Sequence, residues 1–400
     1  MSLPLATSPG PVGGAFRPDR VRLLLTAFAL AGLVNLVDLI LRIWGPVFAD
    51  PEVARIGDFA AFWAAAKLAL SGTAPSAYDW ATLHAAQEAG YGVAIGTDMP
   101  WFHPPPAFLA VAPLGLVDPW TAIWLWVLIT GALYLRVAWA ILPGWSTLLA
   151  ALGASPTVYT ASTGQMGFLT AAIMGTGLLW LSEGRQRRAG AALAMLAIKP
   201  PLALAVPVTL LFGRRWRAIG WGITSGAMLV VLATLLAGPE VWGSWLQASE
   251  TAVALFRGDT DHTPRWSYFV SPYGALRALG FDYTTAITLH VVQGAAVLAA
   301  LALAVTRGAG PTLLAALTAY ACVLVSPRIY VYDAHLLVIG ALFQIRHACT
   351  AGWFRAEAWI LAAALMAGFV SQYALPGPAI LAPPLLFWSA FLGHRAHRKS

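Results

Sequence analysis

The sequence contains little charge. Only 10% of its 400 residues are Asp, Glu, Lys or Arg, whereas 59% are hydrophobic. A soluble globular protein needs far more charge to cover its surface, so that class is excluded. Apolar runs of roughly 20 residues, the length that crosses a bilayer as a helix, recur along the chain. We therefore predict an all-α polytopic membrane protein, because helices satisfy their own backbone hydrogen bonds in lipid.

Cysteine is almost absent as well. The two cysteines, Cys322 and Cys349, lie in or beside apolar runs, which excludes a disulfide framework and a zinc-type ligand spacing. We find no internal repeat and no low-complexity tract. The net charge of +7 does not indicate a nucleic-acid partner, because the cations collect in short loops between apolar runs. That distribution follows the positive-inside rule and reports orientation in a membrane.

The apolar runs and basic loops together predict about 12 spans with both termini cytoplasmic. Residues 1–20 form an N-terminal tail, and residues 21–44 are too long an apolar segment for a cleaved signal peptide. Basic clusters at 185–188 and 214–217 then fall inside. A single membrane domain extends over residues 21–393, and residues 394–400 form a basic cytoplasmic tail. We place the protein in the cell (inner) membrane.

Distinctive residues collect in the predicted outer connections. Two outer segments, 45–118 and 238–284, are long, and in the first of them residues 59–70 and 80–89 read as amphipathic juxtamembrane helices. Residues 148–160 are predicted to run outward as one helix to a turn at 163–165. The sequence Lys199-Pro200-Pro201 indicates an outer turn between two short spans, because a Pro pair cannot continue a helix.

This topology brings ionisable and polar residues from separate connections to the outer face: Asp58, His103, Gln165, Lys199, Arg328, Asp333 and His335. Ionisable groups at a membrane are costly and are usually paired or functional. A carboxylate facing several cations suits group transfer from a phosphate leaving group. The carboxylate accepts the proton of an acceptor hydroxyl, and the cations stabilise charge on the departing phosphate.

Several of these residues also have a purely structural alternative: His103 is a candidate for packing beside the prolines, and Gln165 for capping or bridging helices. Asp58 is placed to cap the helix that starts at residue 59, held at the bilayer surface by neighbouring aromatic residues. Lys199 is a candidate for snorkelling from a helix end, and Arg328 for anchoring at the interface. His335 is a candidate for a satisfied histidine at a helix start.

Several short motifs, in their order, resemble glycosyltransferase family 87, the polyprenol-phosphate-mannose-dependent mannosyltransferases of the C-type membrane fold. The matching pieces are Gly57-Asp58-Phe59 through Trp63, Gly72, Tyr78-Asp79, His103-Pro104-Pro105, Pro113-Leu114, Gly164-Gln165, Ala189-Gly190 through Lys199-Pro200, Ser326-Pro327 and Tyr332-Asp333-Ala334-His335. The resemblance implies a sugar donor on a lipid phosphate, inversion at the anomeric carbon, and Asp58 as the catalytic base.

The same resemblance implies roles for the remaining polar residues. Lys199 matches its Lys-Pro turn and is predicted to bind donor phosphate, with Arg328 and His335 as further candidates for that task. Weaker predictions for substrate binding fall on His103, Gln165, Tyr332, Asp333 and Arg265. Many C-type relatives have a pair of acids where this chain has Asp58 alone, which argues against a divalent metal, since such ions favour several oxygen ligands. No cofactor is predicted.

We therefore predict an inverting glycosyltransferase that moves a hexose, most simply mannose, from a polyprenyl-phosphate donor to a lipid or glycan acceptor at the outer face. Acceptor choice is predicted to lie in residues 238–284. The competing prediction is a transporter or flippase of lipid-linked sugars, for which polar groups near the midplane on broken helices and paired repeats are typical. A catalytically inactive relative that serves as an assembly partner is a third alternative.

Overall fold

The computed structural model describes residues 57–96, 99–258, 266–353, 357–361, 363–364 and 377–397, together with positions 30, 33, 34 and 37. Regular structure in these ranges is helical, and the one β-bridge within them joins Phe269 to Tyr330. The prediction of an all-α protein is confirmed. Most of the predicted first span and Arg265 lie outside the described residues.

The first half of the described chain consists of helices separated by Pro and Gly turns. In chain order they are α1 (Phe59–Leu70), α2 (Trp80–Tyr91), α3 (Pro106–Val111), α4 (Pro119–Ile141), α5 (Trp145–Gly153), α6 (Ser155–Thr163), α7 (Gly167–Ser182) and α8 (Gln186–Ala194). Carboxylates fix two of the starts: Asp79 accepts the backbone N–H of Thr82, and Asp118 accepts that of Thr121. Such caps satisfy amides that a helix start leaves free.

The second half of the described chain contains eight helices. They are α9 (Val206–Phe212), α10 (Trp216–Ala237), α11 (Val241–Arg257), α12 (Pro272–Ala278), α13 (Tyr283–Thr306), α14 (Pro311–Val325), α15 (His335–Ala351) and α16 (Gly377–His397). Short 3-10 turns connect several elements, at Ala74–Tyr78, Ala112–Leu116, Met195–Ile198, Pro200–Ala203, Trp266–Tyr268 and Val331–Ala334. Helices α14 and α15 are buried along most of their length and form the centre of the core.

Among the described residues, four helical stretches are long and apolar enough to cross a membrane: α4, α10, α13 and Val331–Ala351. Helix α10 exposes apolar side chains such as Ile223 and Leu235, which are 68% and 77% exposed. A helix that is hydrophobic around its circumference suits contact with lipid. These features fit the predicted membrane protein, and the number of about 12 spans remains a prediction.

Helix α1 is a core helix, so the prediction that its aromatic residues hold Asp58 against the bilayer surface is wrong. Nine of its 12 residues are buried, among them Phe59, Phe62 and Trp63, which therefore do not hold Asp58 against the bilayer surface. Small alanines between the aromatic residues let neighbouring segments approach closely. A Cβ added at Gly115 would lie 2.9 Å from the carbonyl carbon of Ala66. Asp58 consequently begins a buried helix.

Two broken stretches differ in how well the sequence anticipated them. Residues 148–160 are divided between α5 and α6 by extended backbone at Ala154 and by Pro156 in the first turn of α6, so the prediction of one helix is wrong. The predicted break at Lys199 is confirmed, since this residue has φ −151° and ψ 72° between two 3-10 turns. The flanking helices α8 and α9 have nine and seven residues and are each too short to cross a bilayer.

Candidate active site

Asp58 and Gln165 form the central pair of the site. Gln165 Nε2 donates a hydrogen bond of 2.6 Å to Asp58 Oδ2. The side chain of Asp58 caps no amide of α1, so the capping alternative is wrong. Burial raises the pKa of Asp58, and the hydrogen bond from Gln165 and the charge of Lys199 offset part of that rise. A carboxylate whose pKa is raised toward neutrality is suited to accept a proton.

Gly164 brings Gln165 to Asp58. It follows the last residue of α6 with φ 68° and ψ 23°, a left-handed conformation that glycine adopts readily. A Cβ at this position would lie 2.6 Å from the Cβ of Phe59, the residue after Asp58. A glycine therefore meets both the conformational and the steric requirement of the close approach between the α6–α7 link and the start of α1.

The amide of Gln165 retains binding capacity. The residue is 7% exposed, and its buried Oε1 has no hydrogen-bond partner among the described residues. The orientation of the amide follows from the bond to an ionised Asp58, because a carboxylate accepts only from Nε2. Oε1 therefore has an unused capacity to accept a hydrogen bond, for example from a hydroxyl, next to the carboxylate.

Lys199 forms a buried ion pair with Asp333. Its Nζ lies 2.6 Å from Asp333 Oδ1, and the two side chains are 12% and 0% exposed. The same ammonium lies 4.8 Å from the centre of the Tyr332 ring. Lys199 thus points into the protein, which contradicts the alternative of a snorkelling side chain. An ammonium has three N–H donors, so pairing with one carboxylate oxygen leaves donors for an anion.

His103 lies close to Lys199 and is neutral. Burial, and next the charge of Lys199, lower the pKa of His103 to about 3. Its ring contacts those of Phe62 and Trp101, with centroids 5.3 and 4.9 Å away. Tyr78 donates a hydrogen bond of 2.7 Å to the His103 carbonyl. Neutral His103 is therefore suited to hydrogen bonding rather than to charge neutralisation of a phosphate.

Residues 326–335 form a turn that is fastened to the segment before α12. The backbone N–H of Val270 donates to the carbonyl of Ile329 at 2.9 Å, and Ser271 Oγ donates to the carbonyl of Pro327 at 2.6 Å. Within the turn, the rings of Tyr330 and Tyr332 stack with centroids 5.2 Å apart. These contacts hold Tyr332 beside Lys199.

Tyr330 is a residue of the site that the sequence did not single out. Its backbone N–H donates to Asp333 Oδ2 at 3.3 Å. Burial raises the pKa of Tyr330 to about 12; Arg328 opposes this shift, and Asp333 and Asp58 add to it. Tyr330 therefore lies within electrostatic reach of both carboxylates. A tyrosine two positions before the motif tyrosine was the only available signal, and such spacing is common in turns.

His335 is enclosed by protein. It is fully buried, with Nδ1 2.8 Å from the Tyr332 carbonyl and Nε2 3.3 Å from Thr157 Oγ1. The rings of Tyr134 and Phe168 pack against it. Both ring nitrogens have partners, so contact with a phosphate would require breaking a hydrogen bond. The geometry favours the alternative in which His335 holds the start of α15 and positions Tyr332.

Arg328 lies on another flank of the turn. Its guanidinium carbon is 4.8 Å from the centre of the Phe256 ring. Burial lowers the pKa of Arg328, and neighbouring tyrosines, Tyr330 first, oppose the shift. No carboxylate of the described residues forms an ion pair with it. Arg328 thus brings a partly buried cation to the turn, against Phe256 of α11.

Most of the predicted residues come together at junctions between helices. Asp58, Gln165, Lys199, Asp333, Tyr332 and His103 form one cluster, with Arg328 and His335 on its flanks. Within the described ranges, no three acidic, histidine or cysteine side chains gather as a metal-binding group. The site combines a buried carboxylate and a buried cation, which are the elements of acid–base group transfer.

Comparison with known proteins identifies the family. The model of glycosyltransferase family 87 matches residues 101–327, a range that includes Gln165 and Lys199. No curated protein and no solved structure gave a significant match to the chain. Because the family match covers more than half of the chain, the protein belongs to glycosyltransferase family 87.

Proposed function

We propose that the protein transfers a hexose, most simply mannose, from a polyprenyl-phosphate donor to a lipid or glycan acceptor at the outer face of the inner membrane, with inversion of the anomeric carbon. The observation that carries the proposal is the buried carboxylate of Asp58, held by Gln165 within electrostatic reach of Lys199. A base and a cation are what displacement of a sugar from phosphate requires.

In the proposed reaction, the acceptor hydroxyl donates its proton to Asp58 and its oxygen forms a bond to the anomeric carbon. The bond between that carbon and the phosphate oxygen breaks, and the electron pair leaves with the polyprenyl phosphate. Attack opposite the leaving group inverts the configuration. The unpartnered Oε1 of Gln165 accepts a hydrogen bond from a second hydroxyl of the acceptor and so orients the acceptor.

Lys199 is proposed to neutralise the departing phosphate. Asp333 holds its ammonium in place, which lessens the reorganisation needed when charge develops. Arg328 supplies a second positive charge from the flank of the turn. His335 acts as a positioning residue, because both of its nitrogens hold the protein together.

The proposal is tested by transfer of labelled mannose from polyprenyl-phospho-mannose to native membrane lipid extract, with purified protein in that lipid. We expect transfer by the natural sequence and a loss of at least 1,000-fold in Asp58→Asn. Asp118→Asn serves as a matched control, since this exposed carboxylate caps α4 outside the cluster.

Equal transfer by the natural sequence and Asp58→Asn would refute Asp58 as the base. Absence of transfer with mannose and glucose donors alike, together with movement of a lipid-linked sugar across sealed vesicles, would establish the transporter instead.

A further inference from the structure

A cavity lies beside the candidate active site, between residues 75–102 and α11. Its volume is about 310 Å³, at the lower end of the roughly 300–1,000 Å³ that small-molecule sites occupy. Its wall includes Trp80, Trp101, Phe102, Ser244, Gln247 and Thr251. Both of the predicted long outer segments contribute to it.

One wall of the cavity is polar because it is formed by a polar face of α11. Ser244, Gln247 and Thr251 are spaced by three and four residues and so share one face of this helix. Gln247 and Thr251 are exposed and line the cavity. With Asp79, which lines the cavity from the start of α2, the cavity therefore presents two hydroxyls, an amide and a carboxylate in a chain that is 59% hydrophobic.

The opposite wall is aromatic and reaches the catalytic cluster. Trp101 lines the cavity, and its ring centre is 4.9 Å from that of His103. Tyr78 also lines the cavity and donates a hydrogen bond to the His103 carbonyl. A molecule in the cavity is thus separated from His103, the neighbour of Lys199, by one layer of side chains.

Aromatic rings opposite hydroxyls and an amide match the chemistry of a sugar, which has an apolar C–H face and a polar rim of hydroxyls. No Lys or Arg is among the described lining residues, so the cavity is not built for a phosphate. We propose that it is the subsite for a neutral sugar of the acceptor, next to the sugar that receives the transferred hexose. This inference rests on the proposed transferase function.

The test compares Gln247→Leu and Thr251→Val with Ser249→Ala. Both test variants keep the side-chain size and remove hydrogen bonding in the cavity. Ser249 lies on the same helix outside the lining, and its hydroxyl bonds to the carbonyl of Trp245 at 2.8 Å. Transfer is measured against the concentration of acceptor lipid and, separately, of polyprenyl-phospho-mannose.

We expect the acceptor KM to rise at least fivefold in Gln247→Leu and Thr251→Val, while the donor KM and kcat stay within twofold of the natural sequence. A calorimetric titration with mannotriose measures sugar binding without any reaction. We expect binding to the natural sequence and to Ser249→Ala, and at least fivefold weaker binding to Gln247→Leu.

Unchanged acceptor KM in both cavity variants would overturn the proposal, as would mannotriose binding of equal strength in Gln247→Leu. If the natural sequence transfers no sugar, the proposed function fails, and the titration still decides whether the cavity binds carbohydrate.

Discussion

The hydrogen bond between Gln165 and Asp58 gives a sharp prediction for the pH dependence of transfer. Asp58 must be ionised to accept a proton, so kcat/KM falls as the pH drops through its pKa. Burial raises that pKa, and the bond from Gln165 works against the rise. Gln165→Leu removes the bond and keeps a side chain of similar size. The pKa of Asp58 then rises further, and the acid limb of the profile moves to higher pH.

The size of the shift follows from the strength of the bond. A hydrogen bond to a charged group contributes about 1.5–3 kcal/mol, and one pKa unit corresponds to about 1.4 kcal/mol. We therefore expect the acid limb to move up by about 1–2 pH units. The variant loses most activity on the acid side of its shifted limb and recovers part of it at higher pH.

The assay is the pH profile of kcat/KM for mannose transfer, measured on protein whose folding is checked by its thermal transition. Ser162→Ala is the matched control, because Ser162 lies in the last turn of α6, three residues before Gln165, and bonds only to the Tyr159 carbonyl among the described residues. An acid limb that stays in place, or moves to lower pH, in folded Gln165→Leu would refute this account of Asp58.

Three further predictions concern stability. Asp58→Asn should melt higher than the natural sequence at pH 8 by roughly 2 °C or more. Burial raises the pKa of Asp58, so the natural protein loses stability as the pH rises through that pKa. The difference in melting temperature should shrink at pH 4, and a constant difference would contradict the charge-based cause. Gly164→Ala should lower both the melting temperature and transfer. Gly184 also has a positive φ, but a Cβ there would have no atom within 4 Å, so Gly184→Ala should lower the melting temperature only slightly. Equal effects of the two substitutions would exclude the contact with Phe59 as the cause. Asp333→Leu should destabilise the folded protein by about 3–5 kcal/mol, because it leaves the buried charge of Lys199 unpaired. In denaturant titrations, the double variant with Lys199→Met should regain stability, but it should not regain transfer. Restored transfer would remove Lys199 from the mechanism.

One of the two helical breaks, at Lys199, was readable from the sequence, whereas the break between α5 and α6 was missed despite Pro156. Pro200 and Pro201 cannot continue a helix, so the break at Lys199 was predictable. The burial of α1 was not, because aromatic residues with alanine suit either a membrane surface or a packed core. Which surface they meet depends on segments distant in the chain, such as the turn around Gly115.

For the candidate site, the sequence likewise revealed one part and left another hidden. Its residue types were visible as rare polar groups in an apolar chain, and the predicted topology placed them on one side. Their partners were not visible, since Gln165 lies 107 positions from Asp58 and Lys199 lies 134 from Asp333. The sequence analysis predicted donor-phosphate binding for Lys199, Arg328 and His335 alike. Their surroundings in the structure differ, so the three residues are suited to different tasks.

Composition and the spacing of apolar runs by themselves determined that this is an all-α chain suited to a membrane, because too little charge is present to cover a soluble surface. Only the tertiary structure decided that Asp58 is buried and bound by Gln165, and that Lys199 is paired. A pKa or an ion pair depends on solvent exclusion and on distances of a few ångströms between remote segments. Local sequence carries no record of those distances.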